Sequence, residues 1–148
     1  MAETSLVAKF VMDVAALVPE GEAATAPPPD DPALELDIAE IARKTQEFLR
    51  IASHWEHAMT ETTRLERAGA GADPLRLTRD VEQRAYQATV AAQRALDALV
   101  KQARDAHGEA TLAADPRWHL LEMVDDCFSQ ALSAQHTRYF AKGPLGAI

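Results

Sequence analysis

Cysteine is nearly absent from this sequence of 148 residues, in which Cys127 stands alone. A single cysteine cannot form an internal disulfide, so packing must hold the fold together, and a cytoplasmic protein is the simplest expectation. Aromatic residues make up only 5% of the chain, whereas alanine is abundant. This composition favours closely packed helices over a sheet, because strands are enriched in aromatic and β-branched residues.

Several chemical signatures are missing as well. The sequence has no apolar run long enough to span a bilayer, and it lacks a Gly-rich phosphate loop, a nucleophile elbow and a Cys-x-x-Cys pair. It therefore predicts no transmembrane segment and no cofactor, and it favours a non-enzymatic protein over an enzyme.

Positive charge is scarce at the front of the chain, where residues 1–40 carry nine acidic side chains against Lys9 alone. This segment accounts for the whole net charge of −8, because the remaining residues hold fourteen acidic and fourteen basic side chains. Duplex DNA and RNA are bound mainly through clustered Lys and Arg, so nucleic acid is not an expected partner.

The dipeptide Asp-Pro occurs three times, beginning at Asp31, Asp73 and Asp115. Asp is a favoured N-cap because its carboxylate accepts from the free amides of the first helical turn, and Pro suits the next position, where no amide donor is needed. Each pair therefore predicts a helix start. Gly69, Gly108 and Gly143 fall where a left-handed residue would end the preceding helix.

Hydrophobic residues between these marks recur at alternating steps of three and four, which is typical of helices packed side by side. The predicted core row of the first long helix is Leu34, Ile38, Ile41, Thr45, Phe48, Ala52, Trp55, Met59 and Thr62. The predicted row of the second is mostly alanine: Leu77, Val81, Ala85, Ala88, Ala92, Ala95, Leu99, Ala103 and Ala106. The third row is Trp118, Leu121, Val124, Phe128, Ala131, Gln135 and Tyr139.

The predicted fold class is all-α, an antiparallel bundle of three long helices plus a short N-terminal amphipathic helix on a Pro-rich tether. We assign residues 1–18 to the amphipathic helix, 19–32 to the acidic Pro-rich linker, 33–142 to the helical bundle and 143–148 to an apolar tail. The front helix can fold back on its own bundle or dock on another chain. Folding back is favoured, because a local apolar face is most often covered by its own domain.

The unusual sequence features lie at the two ends of the chain, while the pattern of the middle predicts only the packing of helices. The predicted partner-binding residues are Leu6, Phe10, Val14, Leu17, Leu145 and Ile148. The leading hypothesis is a non-enzymatic interaction or scaffold protein that binds protein partners, or copies of itself in a homo-oligomer, through these terminal segments.

Two groups of histidine and carboxylate side chains define an alternative function. The candidate ligands are His54, His57 and Glu61 on one helix and His119 and Glu122 on another. Facing each other in a four-helix-type bundle, the segments His54–Glu61 and His119–Asp126 would hold a metal or a small ligand. Di-iron bundles use a Glu-x-x-His pair, and no histidine here has Glu three positions before it, so no metal is predicted.

A third hypothesis is a peripheral protein that coats a membrane or a storage granule through its amphipathic front helix. Such helices adsorb through their apolar face and usually carry Lys and Arg on the polar face. The front helix has only Lys9 and lies in an acidic neighbourhood, which weakens this hypothesis.

Overall fold

The computed structural model describes residues 5–18 and 31–142, with side chains described as far as Thr137. The helices in these ranges are α1 (Leu6–Ala15), α2 (Pro32–Arg67), α3 (Ala72–His107), α4 (Glu109–Ala113) and α5 (Pro116–Lys142). No strand occurs in the described ranges, and α2, α3 and α5 pack as a bundle, so the predicted all-α class is confirmed. Most of the predicted linker and all of the predicted tail lie outside the described residues.

Two of the three Asp-Pro pairs cap helices as predicted. The Asp31 carboxylate accepts from the Leu34 amide at 3.1 Å at the start of α2. The Asp115 carboxylate accepts from the Arg117 amide at 2.9 Å at the start of α5. The third pair behaves differently, since α3 begins one residue before Asp73 and has no side-chain cap.

The predicted glycine stops are also found where they can be observed. Gly69 and Gly108 have φ angles of +71° and +84°, which L side chains rarely adopt, and they follow the ends of α2 and α3. Gly143 lies outside the described residues. The connection after Gly108 contains the five-residue helix α4, which the sequence analysis did not predict.

The longest elements, α2 and α3, form an antiparallel hairpin of two 36-residue helices, each about 54 Å long at about 1.5 Å per residue. The Asp37 carboxylate near the start of α2 lies 2.6 Å from the Nε2 atom of His107 at the end of α3. At the other end, Glu66 lies 3.6 Å from Arg79. The α5 helix returns antiparallel to α3.

The α1 helix folds back on its own bundle and lies against α2 and α5, in the position of a fourth helix. Val7, Phe10 and Val14 are buried against the main core. The backbone amide of Leu6 meets the Glu56 side chain, in the second half of α2. The α1 helix is much shorter than α2, so its apolar face covers only part of the hairpin.

The core rows predicted for α2 and α5 are confirmed. All members of the α2 row are buried except Leu34 and Met59, which are half-buried. The two threonines in that row, Thr45 and Thr62, satisfy their hydroxyls within the helix by donating to the carbonyl oxygens four residues earlier. The α5 row is buried or half-buried as far as Gln135, beyond which the Tyr139 side chain is not described.

The core row predicted for α3 is confirmed only in part, since Ala103 is buried and Ala85, Ala92 and Leu99 are half-buried against the core. Leu77 and Val81 are 67% and 52% exposed, and Ala88, Ala95 and Ala106 are exposed as well. The buried residues of α3 are Glu82, Tyr86, Thr89, Leu96, Val100 and Ala103, of which only Ala103 was predicted. The helix is therefore turned so that a more polar row faces the core and much of the alanine row faces away from it.

Phe48 of α2 and Phe128 of α5 meet edge to face in the main core, with ring centroids 5.0 Å apart. We expect Phe48→Ala to lower the free energy of unfolding by about 3–5 kcal/mol, because it leaves a cavity against Phe128. Urea unfolding followed by circular dichroism measures this loss. Leu36→Ala is the control, since Leu36 is 71% exposed in the same helix and its loss should change the free energy by about 0.5 kcal/mol or less. Equal losses in the two variants would contradict the packing described.

Candidate functional site

The partner-binding residues predicted on the front helix lie in the molecule's own core. Phe10 and Val14 are 1% and 0% exposed, and Leu6 and Leu17 are half-buried against the same cluster. Most of the apolar face of α1 is thus covered by α2 and α5, while Val11 at its edge is 41% exposed. The other two predicted residues, Leu145 and Ile148, lie outside the described residues.

The start of α1 is held by a carboxylate from another helix. The Leu6 amide donates to Glu56 at 3.0 Å, and the Ser5 hydroxyl also bonds to this side chain. Ser5 in turn accepts from the Ala8 amide at 3.2 Å, as an N-cap does. A negative charge at this position favours the helix, because the first amides carry partial positive charge. Glu56 therefore fastens α1 to α2.

We expect Glu56→Ala to increase hydrogen exchange at the amides of α1, because the charge-assisted contacts to Ser5 and Leu6 are lost. The loss of local stability should be about 1 kcal/mol, the usual effect of removing a cap. Glu47→Ala is the matched control, since Glu47 is an exposed carboxylate of α2 that pairs with Lys44 at 3.5 Å. Hydrogen exchange is measured by mass spectrometry. If the α1 amides exchanged as slowly in both variants as in the wild type, Glu56 would not have this role.

The residues predicted as metal candidates are not brought together. On α2, His54 and His57 are exposed and Glu61 is paired with Arg64. On α5, His119 is exposed and Glu122 is ion-paired with an arginine of α3. Within the residues that the structure describes, no three histidine, cysteine, aspartate or glutamate side chains are grouped so that they could hold a metal ion.

A regular row of exposed residues runs along the side of α3 that faces away from the core. Its members are Leu77, Val81, Arg84, Ala88, Ala91, Ala95, Ala98 and Gln102, all of them exposed. We call these residues the outer face of α3. Their spacing alternates between four and three, which is the spacing of a helix that packs against a second helix. Four of its members, Leu77, Val81, Ala88 and Ala95, belong to the row that the sequence pattern predicts for the core, so the pattern does not identify this row as a surface.

A shallow groove of about 230 Å³ opens between α2 and α3 next to one end of this face. Its lining is mixed, with the apolar residues Ile41, Leu99, Ala103 and Ala106 and the polar residues Asp37, Glu40 and Gln102. At the opposite end of the face, Leu77 projects into solvent. The outer face of α3 therefore has a projecting apolar side chain at one end and a groove of mixed polarity at the other.

Polar residues in the core row of α3 connect it to α5. The Gln93 side-chain amide lies 3.1 Å from Asp125, 2.7 Å from the Ser129 hydroxyl and 3.4 Å from Asp97. Burial and the neighbouring Asp97 carboxyl raise the pKa of Asp125 from its usual 3.8 to about 7, although Gln93 and Arg104 act in the opposite direction. At neutral pH the Asp125 carboxyl therefore carries a proton for part of the time.

We expect the contribution of Asp125 to the stability of the protein to decline as the pH rises from its unfolded-state pKa of 3.8 through the folded-state value of about 7. The sign follows because burial beside Asp97 favours the protonated form, so ionisation of Asp125 opposes folding. Asp125→Asn should remove this decline and stabilise the protein above neutral pH on the order of 1 kcal/mol, after allowance for solvent screening at a half-buried group.

Thermal unfolding of the wild type and of Asp125→Asn across this pH range measures the effect. Asp126→Asn is the control, because Asp126 is an exposed neighbour on the same helix. Parallel pH profiles for the wild type and Asp125→Asn would contradict the assignment.

Comparison of this chain with protein-family models, curated proteins and solved structures finds no match. None of the helices in the described ranges combines the length and the apolar character needed to cross a membrane.

Proposed function

We propose that this chain is a non-enzymatic helical-bundle protein that binds other protein chains through the outer face of α3. The observation that carries the proposal is the exposure of Leu77 and Val81 in a row with heptad spacing on the longest hairpin of the fold. Large apolar side chains that recur at this spacing on one face are typical of a helix that packs against another helix. A cytoplasmic setting belongs to the proposal, because a chain with one cysteine forms no internal disulfide.

The other surfaces support this choice by what they already contact. Most of the apolar face of α1 lies against α2 and α5, and the heptad row of α2 lies in the main core. The candidate metal ligands on α2 and α5 are exposed or paired with arginines, so a metal or ligand site between these helices gains no support. Among the faces that the structure describes, the outer face of α3 best combines regular spacing with exposed apolar side chains.

A comparison of baits tests the proposal. Immobilised wild-type protein, the double variant Ala88→Glu with Ala91→Glu, and the control Ala134→Glu are each incubated with an extract of the cells from which the gene comes. Ala134 is an exposed alanine of α5, so the control introduces the same side chain on a different surface. We expect the amount of each specifically bound protein to be lower by about tenfold or more on the double variant than on the wild type and the control. The reason is that buried, unpaired carboxylates oppose association.

Circular dichroism of the three baits confirms that each is folded before the comparison is made. If quantitative mass spectrometry found the same bound proteins in the same amounts on all three baits, the outer face of α3 would not be the binding surface.

A further inference from the structure

We propose that the outer face of α3 pairs with the same face of a second copy of this chain, with the two α3 helices antiparallel. The inference rests on the proposed function and names its partner. A two-fold interface brings one surface against itself, so residue i of one copy meets residue j of the other and the reverse also holds. The face must therefore be complementary to itself when it is turned around, and three observations meet this requirement.

The first observation is the distribution of side-chain size along the face. The half nearest the hairpin turn carries the larger residues Leu77, Val81 and Arg84, and the remainder is mostly alanine. An antiparallel pair centred between Ala88 and Ala91 brings each large residue against a smaller or flexible one. The resulting layers are Leu77 with Gln102, Val81 with Ala98, Arg84 with Ala95, and Ala88 with Ala91.

A parallel pair with the helices in register fits much less well. It would place Leu77 on Leu77, Val81 on Val81 and Arg84 on Arg84, so the bulky halves would crowd together and two like charges would meet. The alanine halves would then face each other across a gap. Packing that alternates large and small residues fills space without strain, so the antiparallel arrangement is favoured.

The groove beside α3 is the second observation. In the antiparallel register, Leu77 of one copy reaches the other copy at Gln102, beside the 230 Å³ groove. There it can contact the apolar residues Leu99, Ala103 and Ala106, while Asp37 and Glu40 line the α2 side. Leu77 is 67% exposed in the single chain and would be covered there. Because the arrangement is two-fold, both grooves receive a leucine at once.

The third observation is charge. Residues just beside the face on its solvent side recur with the same period: Asp80, Gln87, Arg94 and Lys101. In the antiparallel register, Asp80 of one copy lies opposite Lys101 of the other, twice per dimer, and Gln87 lies opposite Arg94. The Asp80 and Lys101 side chains are 50% and 79% exposed, so both can turn toward a partner. Flanking charges of this kind set the orientation of paired helices more than their affinity.

Sedimentation equilibrium of the full chain is the first test, and we expect a monomer–dimer equilibrium. The double variant Ala88→Glu with Ala91→Glu should shift it toward the monomer by about a hundredfold in Kd, because Ala88 and Ala91 form the central layers and each new carboxylate would be buried against a carboxylate of the other copy. Ala134→Glu should leave Kd unchanged. A wild type that stays monomeric at every concentration, or a dimer that the double variant does not weaken, overturns the proposal.

Charge reversal tests the register. Asp80→Lys and Lys101→Glu are each expected to weaken the dimer roughly tenfold, because each brings like charges together twice. The chain that carries both substitutions should dimerise within about threefold of the wild type. Within one chain, Asp80 also pairs with Arg84 at 3.2 Å and Lys101 with Asp105 at 3.5 Å, and the double reversal restores neither of these pairs. Recovery therefore reports the contact between chains, and additive weakening would overturn the register.

Disulfide trapping on a Cys127→Ser background separates the two orientations. The chain with Leu77→Cys and Gln102→Cys should form a covalent dimer on oxidation, whereas Leu77→Cys alone should not. In an antiparallel pair the two residues at position 77 lie about 38 Å apart along the axis, far beyond the reach of a disulfide. A covalent dimer of Leu77→Cys alone would show a parallel pair and overturn the proposal.

Failure of this inference is distinguishable from failure of the proposed function. If the wild type is monomeric but the double glutamate variant still loses proteins that wild-type bait retains, the outer face of α3 binds a different protein and only self-association is wrong. If neither self-association nor protein binding depends on the face, both fail.

Discussion

The buried row on α2 is the surface that the other long helices share. Because α1, α3 and α5 all lie against α2, buried side chains such as Ile38, Phe48 and Trp55 form the surface on which these helices pack. Two threonines interrupt this apolar row, but neither leaves a buried hydroxyl without a hydrogen bond. Thr45 and Thr62 each donate to a backbone carbonyl of their own helix. The position of every other helix therefore follows from how it covers α2.

The way in which α3 covers α2 decides which residues remain on the surface. Its core row is unusually polar: Glu82 and Thr89 are buried, and Gln93 reaches across to α5. Thr89 donates to the Ala85 carbonyl at 2.8 Å, which removes most of the cost of burying its hydroxyl. With polar residues inside, α3 turns its row from Leu77 to Gln102 outward. The polar core row and the exposed apolar face are two consequences of one rotation of the helix.

The sequence was sufficient for the fold class, for two of the three helix caps and for the core rows of α2 and α5, because strongly apolar residues repeat there with a clear period. It was insufficient for α3, in which both rows repeat with the same period and alanine is compatible with either environment. A preference for apolar residues inside selected a row of which fewer than half the members lie against the core. The contacts that keep Gln93 and Thr89 inside depend on α5 and on local backbone geometry, and neither can be read from spacing. The role of Glu56 at the start of α1 was missed for a similar reason, since it joins residues about fifty positions apart.

The alanines of the outer face have an explanation that needs no partner, because alanine is the residue most favourable to a helix and α3 is one of the two longest helices in the fold. Helix propensity does not explain Val81, since β-branched residues lose side-chain freedom in a helix, and it does not require a leucine at position 77 with two thirds of its surface in water. These two side chains lie on the same row as the alanines, at the end opposite the groove. Leu77 and Val81 therefore support the proposed association, while the alanines determine how closely a second helix can approach.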